Sequence, residues 1–142
     1  MVGGQVDDLD AQVSGGSLER LHSIHARKTG ALLCVALRIG GTVASADTEQ
    51  IRMLETYGEK LGLAFQIVDD LLDVEGDEHE LGKRTQKDMD RGKLTFPGLL
   101  GIDESRQRAE ALIEEAQASL APLGPAASNL ELLAQYVVQR KN

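Results

Sequence analysis

Residues 65–73 read Phe65-Gln66-Ile67-Val68-Asp69-Asp70-Leu71-Leu72-Asp73, a run that ends in three closely spaced carboxylates. On a helix, Asp69 and Asp73 are four apart and share a face, Asp70 falls on the adjoining edge, and Gln66 lies one turn before both Asp69 and Asp70. Like charges at this spacing destabilise a helix by about 0.2–0.5 kcal/mol per pair. A helix end expected near Val74 would set the macrodipole against them as well. Cations would relieve both costs. Magnesium takes oxygen ligands, keeps several waters and commonly joins a few carboxylates to substrate phosphates. The chemistry that suits the cluster is therefore magnesium–diphosphate binding. An Asp-Asp-x-x-Asp run alone reads as a solvated acidic edge. Here it follows an apolar helix face directly, contains Gln66 and precedes a basic segment, and those additions favour function. A calcium loop is excluded, because one starting at Asp69 or Asp73 would put Val74 or Glu78 where the turn needs glycine.

A magnesium–diphosphate site also needs direct cationic donors to neutralise a leaving group. Lys28-Thr29-Gly30 supplies an ammonium and a hydroxyl inside a long predicted helix. Gly30 costs about 1 kcal/mol there relative to alanine. It can let the helix kink and free a backbone carbonyl toward a cavity. A packing glycine at a helix crossing, with Lys28 simply solvated, is an equally open reading. Lys83 follows Gly82 and Lys93 follows Gly92, in a polar stretch from Gly76 to Pro97 that also holds Arg84, Lys87 and Arg91. That stretch is unusually basic for a chain of net charge −8. His22 and His25 are three apart with no evident third ligand, so no metal is expected on them. Tyr57 and Tyr136 read as core or interface residues.

The elements that must position these residues are helices. After a Gly- and Asp-rich start that reads as a frayed helix end and a loop, a helix is predicted from Leu18 to about Gly41, with Ser17 as N-cap. Its apolar face comprises Leu18, Leu21, Ile24, Ala31, Cys34, Val35 and Leu37. A second helix, capped by Asp47 or Thr48, runs to about Val74. Ile51, Leu54, Leu61, Phe65, Val68 and Leu72 mark its buried face, with Gly58 filling the gap in a three–four spacing. Glu104 to Leu120 forms a third, with Ala109, Leu112, Ile113, Ala116 and Leu120 inward, and Pro122 and Pro125 break the chain after it. Ser128 and Glu131 form a candidate capping box for a last helix ending near Gln139. No convincing strand and no internal repeat is present, so the fold class is all-α.

Composition agrees and excludes other classes. The 142 residues suffice for one domain with one core. With 42% hydrophobic but only 3% aromatic residues, the core must be built from Leu, Ile, Val and Ala. The net charge of −8 argues against a nucleic-acid binder and against attachment to anionic lipid. No apolar run approaches the roughly 20 residues needed to span a bilayer, and the N-terminus lacks a basic-then-apolar signal pattern. The single cysteine, Cys34, allows no internal disulfide, fits a reducing, cytoplasmic compartment and reads as a small buried core residue.

Taken in order, Gly4-Gln5-Val6-Asp7-Asp8-Leu9-Asp10, Lys28-Thr29-Gly30-Ala31-Leu32, the aspartate run at 65–73, Leu81-Gly82-Lys83-Arg84, Gly92-Lys93-Leu94-Thr95-Phe96-Pro97 and Tyr136-Val137-Val138-Gln139-Arg140 resemble the trans-type polyprenyl diphosphate synthases. The likeness is particularly to the short-chain farnesyl and geranylgeranyl diphosphate synthases of bacteria. The resemblance covers essentially the whole chain. It implies a partial isoprenoid-synthase helical bundle around a central cavity. It also implies a prenyltransferase of isoprenoid biosynthesis, which joins an allylic diphosphate head-to-tail to isopentenyl diphosphate. By the same analogy Asp69, Asp70 and Asp73 hold Mg2+, and Lys28, Lys83 and Lys93 contact the allylic diphosphate. Thr29 and Gln66 line the reacting allyl group, and Arg140 helps to close the site over isopentenyl diphosphate.

One departure weighs against full activity. The family's first aspartate-rich motif, the Arg-Arg pair after it and the upstream basic set for isopentenyl diphosphate do not occur in this chain. Asp7-Asp8-Leu9-Asp10 aligns instead with the later Gly-Gln segment. Residues 1–142 are thus expected to be the C-terminal half of a synthase domain, with the N-terminal half absent and one wall of the site present. Such a chain is expected to catalyse little alone and, with an uncovered apolar face, to self-associate or be marginally stable. Two alternatives are a non-catalytic subunit that modulates a complete synthase and a helical interaction domain without a metal site. The retained aspartates and lysines argue against the first of these.

Overall fold

The structure, a computed structural model, describes residues 2–4, 6–7, 16–80 and 94–140, with only the helical backbone for 75–80. Every element among these residues is helical, and the all-α expectation holds. The order is α1 (Leu18–His25), a π-helical turn (Ala26–Gly30), α2 (Ala31–Val43), α3 (Thr48–Glu80), α4 (Phe96–Leu100), α5 (Ile102–Leu120), a 3-10 segment (Ala121–Ala127) and α6 (Ser128–Gln139). Residues 2–4 and 6–7 are also helical.

Side chains set the helix starts. Ser17 Oγ accepts the Arg20 amide at 3.3 Å, as an N-cap should. The single helix predicted from Leu18 is interrupted: the Ala31 amide reaches back to the Ala26 carbonyl, five residues away, and opens a π turn over Lys28-Thr29-Gly30. One extra residue in a turn is how a helix absorbs a bulge without breaking. Of the two candidate caps for α3, Asp47 is the one used. Its Oδ1 accepts the Gln50 amide at 2.8 Å, while Gln50 Oε1 accepts the Asp47 amide at 2.9 Å. This reciprocal pair is a capping box.

Tyr57, Leu61, Ala64, Ile67, Val68 and Leu71 of α3 pack with Ala109, Leu112, Ile113, Ala116 and Leu120 of α5, the five residues predicted to face inward, and with Ala134 and Val137 of α6. The three–four spacing on α3 marked one buried side. Tyr57, Ala64, Ile67 and Leu71 are buried because α5 covers a second side. The Tyr57 hydroxyl donates to the Leu130 carbonyl at 2.7 Å and ties α3 to α6.

Four expectations are corrected. α3 continues to Glu80 rather than ending near Val74, because Gly76 alone costs only about 1 kcal/mol and no proline follows until Pro97. The aspartates therefore sit inside the helix, and the macrodipole penalty expected at its end does not apply to them. Ser128 is already helical (φ −53°, ψ −37°) and makes no cap, since the chain enters α6 straight from the 3-10 segment after a turn at Gly124 (φ 56°). Val35 is 54% exposed and Cys34 only half-buried, because α2 touches α3 along one edge and buries Gly41 alone. Of the two readings of Tyr136, the core one is excluded by its exposure.

Candidate functional site

Gly62, Gln66, Asp69 and Asp73 recur along α3 at intervals of four, three and four, so they form one stripe on its surface. The head of that stripe is where the π turn crosses. A Cβ on Gly62 would lie 2.8 Å from the Gly30 Cα, so glycine at 62 allows the backbones to approach so closely, whereas a Cβ on Gly30 would meet only the His25 carbonyl oxygen at 3.7 Å. The same turn is pressed from its other side, since a Cβ on Gly4 would lie 2.6 Å from the Lys28 amide nitrogen. Lys28 and Thr29 on this turn are both half-buried. Gly30 lies in a distorted turn at the place where that turn crosses α3.

Further along the stripe, Gln66 Nε2 donates to Asp69 Oδ2 at 3.3 Å. The Arg140 guanidinium pairs with Asp69 Oδ1, donates to the Phe65 carbonyl at 3.4 Å and lies 4.2 Å above the Phe65 ring. Stacking of this kind desolvates the cation and strengthens its attraction to the carboxylate. The Asp69 side chain remains 40% exposed, and Asp73 is exposed one turn on. Asp70 is different. It is 5% exposed, accepts the Phe96 amide on Oδ2 at 3.1 Å and faces His25 Nε2 at 3.9 Å. The His25 ring stacks on Phe96 with centroids 5.6 Å apart, and His22 meets the same ring edge-on at 5.3 Å.

The structure thus joins Gln66, Asp69 and Arg140 directly, leaves Asp73 exposed one turn on, and brings the backbone of the turn that carries Lys28 and Thr29 against α3 at Gly62. Lys83 and Lys93 lie outside the described residues. Phe65 as the platform for Arg140, and His25 and Phe96 around Asp70, were not singled out from the sequence. Their partners are 75, 45 and 26 positions away, and no local spacing signals such contacts.

Among the described residues, no three His, Cys, Asp or Glu side chains converge as a metal cage. Asp69 is paired with the Arg140 guanidinium. A cleft of about 970 Å³ lies between α1, the π turn, α2, α3 and α5, lined by His22, Cys34, Glu59, Lys60, Arg108 and Glu115 among others. It contains none of the stripe's carboxylates, and its two cations are engaged, Arg108 with His22 Nε2 at 3.1 Å and Lys60 with Glu115. Burial, with Arg108 and Lys60 close by, holds His22 below its ordinary pKa, so the neutral ring can accept from Arg108.

A family model described as polyprenyl synthetase matches residues 1–124. The chain is 44% identical to the farnesyl diphosphate synthase of Escherichia coli (strain K12), over 99% of this chain and 48% of that protein. Among solved structures, an FPP/GFPP synthase from Zymomonas mobilis superposes with a TM-score of 0.83 at 37% identity, over 96% of this chain and 45% of the other. A geranyltransferase from Helicobacter pylori, solved in complex with magnesium and isoprenyl diphosphate, superposes with a TM-score of 0.76 at 33% identity, over 97% of this chain and 45% of the other. The chain spans about half the length of the relatives it matches.

Proposed function

The chain belongs to the polyprenyl synthetase family, and from that premise we propose that it contributes one wall of a prenyltransferase site, where an allylic diphosphate is joined to isopentenyl diphosphate. The observation that carries the reading is the α3 stripe, on which Asp69 and Asp73 share an exposed face with Gln66 behind them and Lys28-Thr29 at the head. Asp69 and Asp73 would hold magnesium, which when bound supplies charge neutralisation to a departing diphosphate. The chain's own residues do the rest. Lys28 brings a second cation to the diphosphate end. Gln66 gives its amide nitrogen to Asp69, which leaves its carbonyl oxygen free to face positive charge developing on the allyl group. The Thr29 hydroxyl oxygen offers a second such dipole. The double bond of isopentenyl diphosphate then attacks the allylic cation, and loss of a proton completes the condensation. Arg140 is engaged with Asp69 and Phe65, so its proposed service to isopentenyl diphosphate requires it to swing off Asp69 first. Lys83 and Lys93 are proposed as further diphosphate contacts on sequence grounds.

Titration calorimetry with Mg2+ and inorganic pyrophosphate tests the reading. Pyrophosphate should bind only with magnesium present, and Asp69→Asn should weaken it by more than about tenfold. Magnesium-independent binding, or none by the wild-type chain, would overturn it. With isopentenyl and dimethylallyl diphosphates this chain alone is expected to form no prenyl product, because the family's first aspartate-rich motif is not among its residues.

A further inference from the structure

Asp69 and Asp70 are neighbours in sequence, but an α-helix turns about 100° per residue, so their carboxylates leave α3 in different directions. Asp69 opens onto the stripe; Asp70 enters the interior, where its residue is only 5% exposed. A carboxylate in such a place needs hydrogen-bond donors to replace water. It finds the Phe96 amide at 3.1 Å, the first amide of α4, which no helical carbonyl can take. It also faces His25 Nε2 at 3.9 Å, on the last turn of α1. Phe96 is fully buried, stacked on His25 and edge-on to His22. One carboxylate therefore stands where α1, α3 and α4 meet. Immediately beyond His25, α1 gives way to the π turn that carries Lys28 and Thr29.

Resting on the reading of the stripe as a magnesium–diphosphate site, we infer that Asp70 is a positioning residue and not a magnesium ligand: it pins α4 and the end of α1 to α3 so that Asp69, Asp73 and the π turn keep their common orientation. The two aspartates then have separate duties. Asp69 spends its charge on a cation from solvent, and Asp70 spends its own on the fold.

Two measurements on Asp70→Asn, Asp70→Ala and Asp69→Asn separate the duties. Asparagine keeps an acceptor oxygen for the Phe96 amide but is a poor magnesium donor, and alanine is neither. In amide hydrogen exchange, Asp70→Asn should leave the Phe96 amide protected, whereas Asp70→Ala should speed its exchange by about fivefold or more, the worth of one buried hydrogen bond. In calorimetry with Mg2+ and pyrophosphate, Asp70→Asn should bind within about twofold of wild type, while Asp70→Ala weakens binding by about tenfold, as removal of an outer-shell support does. Asp70→Asn failing as completely as Asp69→Asn would make Asp70 a ligand and overturn the inference, and so would an unchanged Phe96 amide in Asp70→Ala. If Asp70→Ala does not fold, Asp70→Asn decides alone. If wild-type chain binds no magnesium pyrophosphate, the function reading fails, while protection of the Phe96 amide still decides whether Asp70 holds α4.

Discussion

The two neighbours of α3 use it in opposite ways. Against α5 it buries Tyr57, Leu61, Ala64, Ile67 and Leu71 in a continuous apolar seam. Against α2 it offers glycines: a Cβ on Gly58 would come within 2.8 Å of Leu37 Cδ1 and 3.1 Å of Cys34 Sγ, and one on Gly62 would meet the Gly30 backbone. α5 gains stability from that seam. α2 gains proximity but little burial, and it turns Leu32, Val35, Ile39 and Val43 outward at 57, 54, 60 and 82% exposure. The stability of the described fold thus resides in α3 and α5. The close approach that positions Lys28 and Thr29 comes from the glycine crossing.

Deleting apolar volume should expose this contrast most sharply. Leu61→Ala in the buried seam should cost about 2–5 kcal/mol, whereas Ile39→Ala on the open face of α2 should stay within about 0.5 kcal/mol. Urea unfolding followed by circular dichroism measures both, and equal losses would mean that α2 is as firmly packed as α5. Next come the glycines. Gly62→Ala should destabilise by about 1–3 kcal/mol, because the new methyl meets backbone that cannot rotate away. Gly40→Ala meets nothing within 4 Å and should stabilise α2 by up to about 1 kcal/mol through helix propensity. Thermal melts of the pair check the opposite signs.

Tyr57 gives the smallest effect at neutral pH. Tyr57→Phe leaves the Leu130 carbonyl without its donor and should cost about 1 kcal/mol. Burial pushes the Tyr57 phenol up to about 12. In the unfolded chain it titrates near 10. The protonated phenol is thus favoured by folding: its contribution is complete below about pH 10 and is lost as pH rises through the folded value. Between those limits the wild-type chain should lose about 2 kcal/mol that Tyr57→Phe does not lose. Measured side by side, the pH profiles of the two chains should converge and then cross, and profiles that stay parallel would contradict the burial of that hydroxyl.

Local pattern alone determined much of this protein. The helix-forming residues, the Ser17 cap, the inward face of α5 and the Gln66–Asp69–Asp73 alignment each depend on neighbours within a turn or two, where helical geometry leaves few choices. The second buried side of α3, the exposure of α2 and the join of Arg140 to Asp69 depend on which helices meet, and spacing along one helix carries no record of that. The aspartates show the division best. Their sequence announced three like charges one turn apart. Only the tertiary structure placed an amide and an imidazole beside Asp70 and left Asp69 and Asp73 facing out, because a buried carboxylate must find its donors on other elements of the fold.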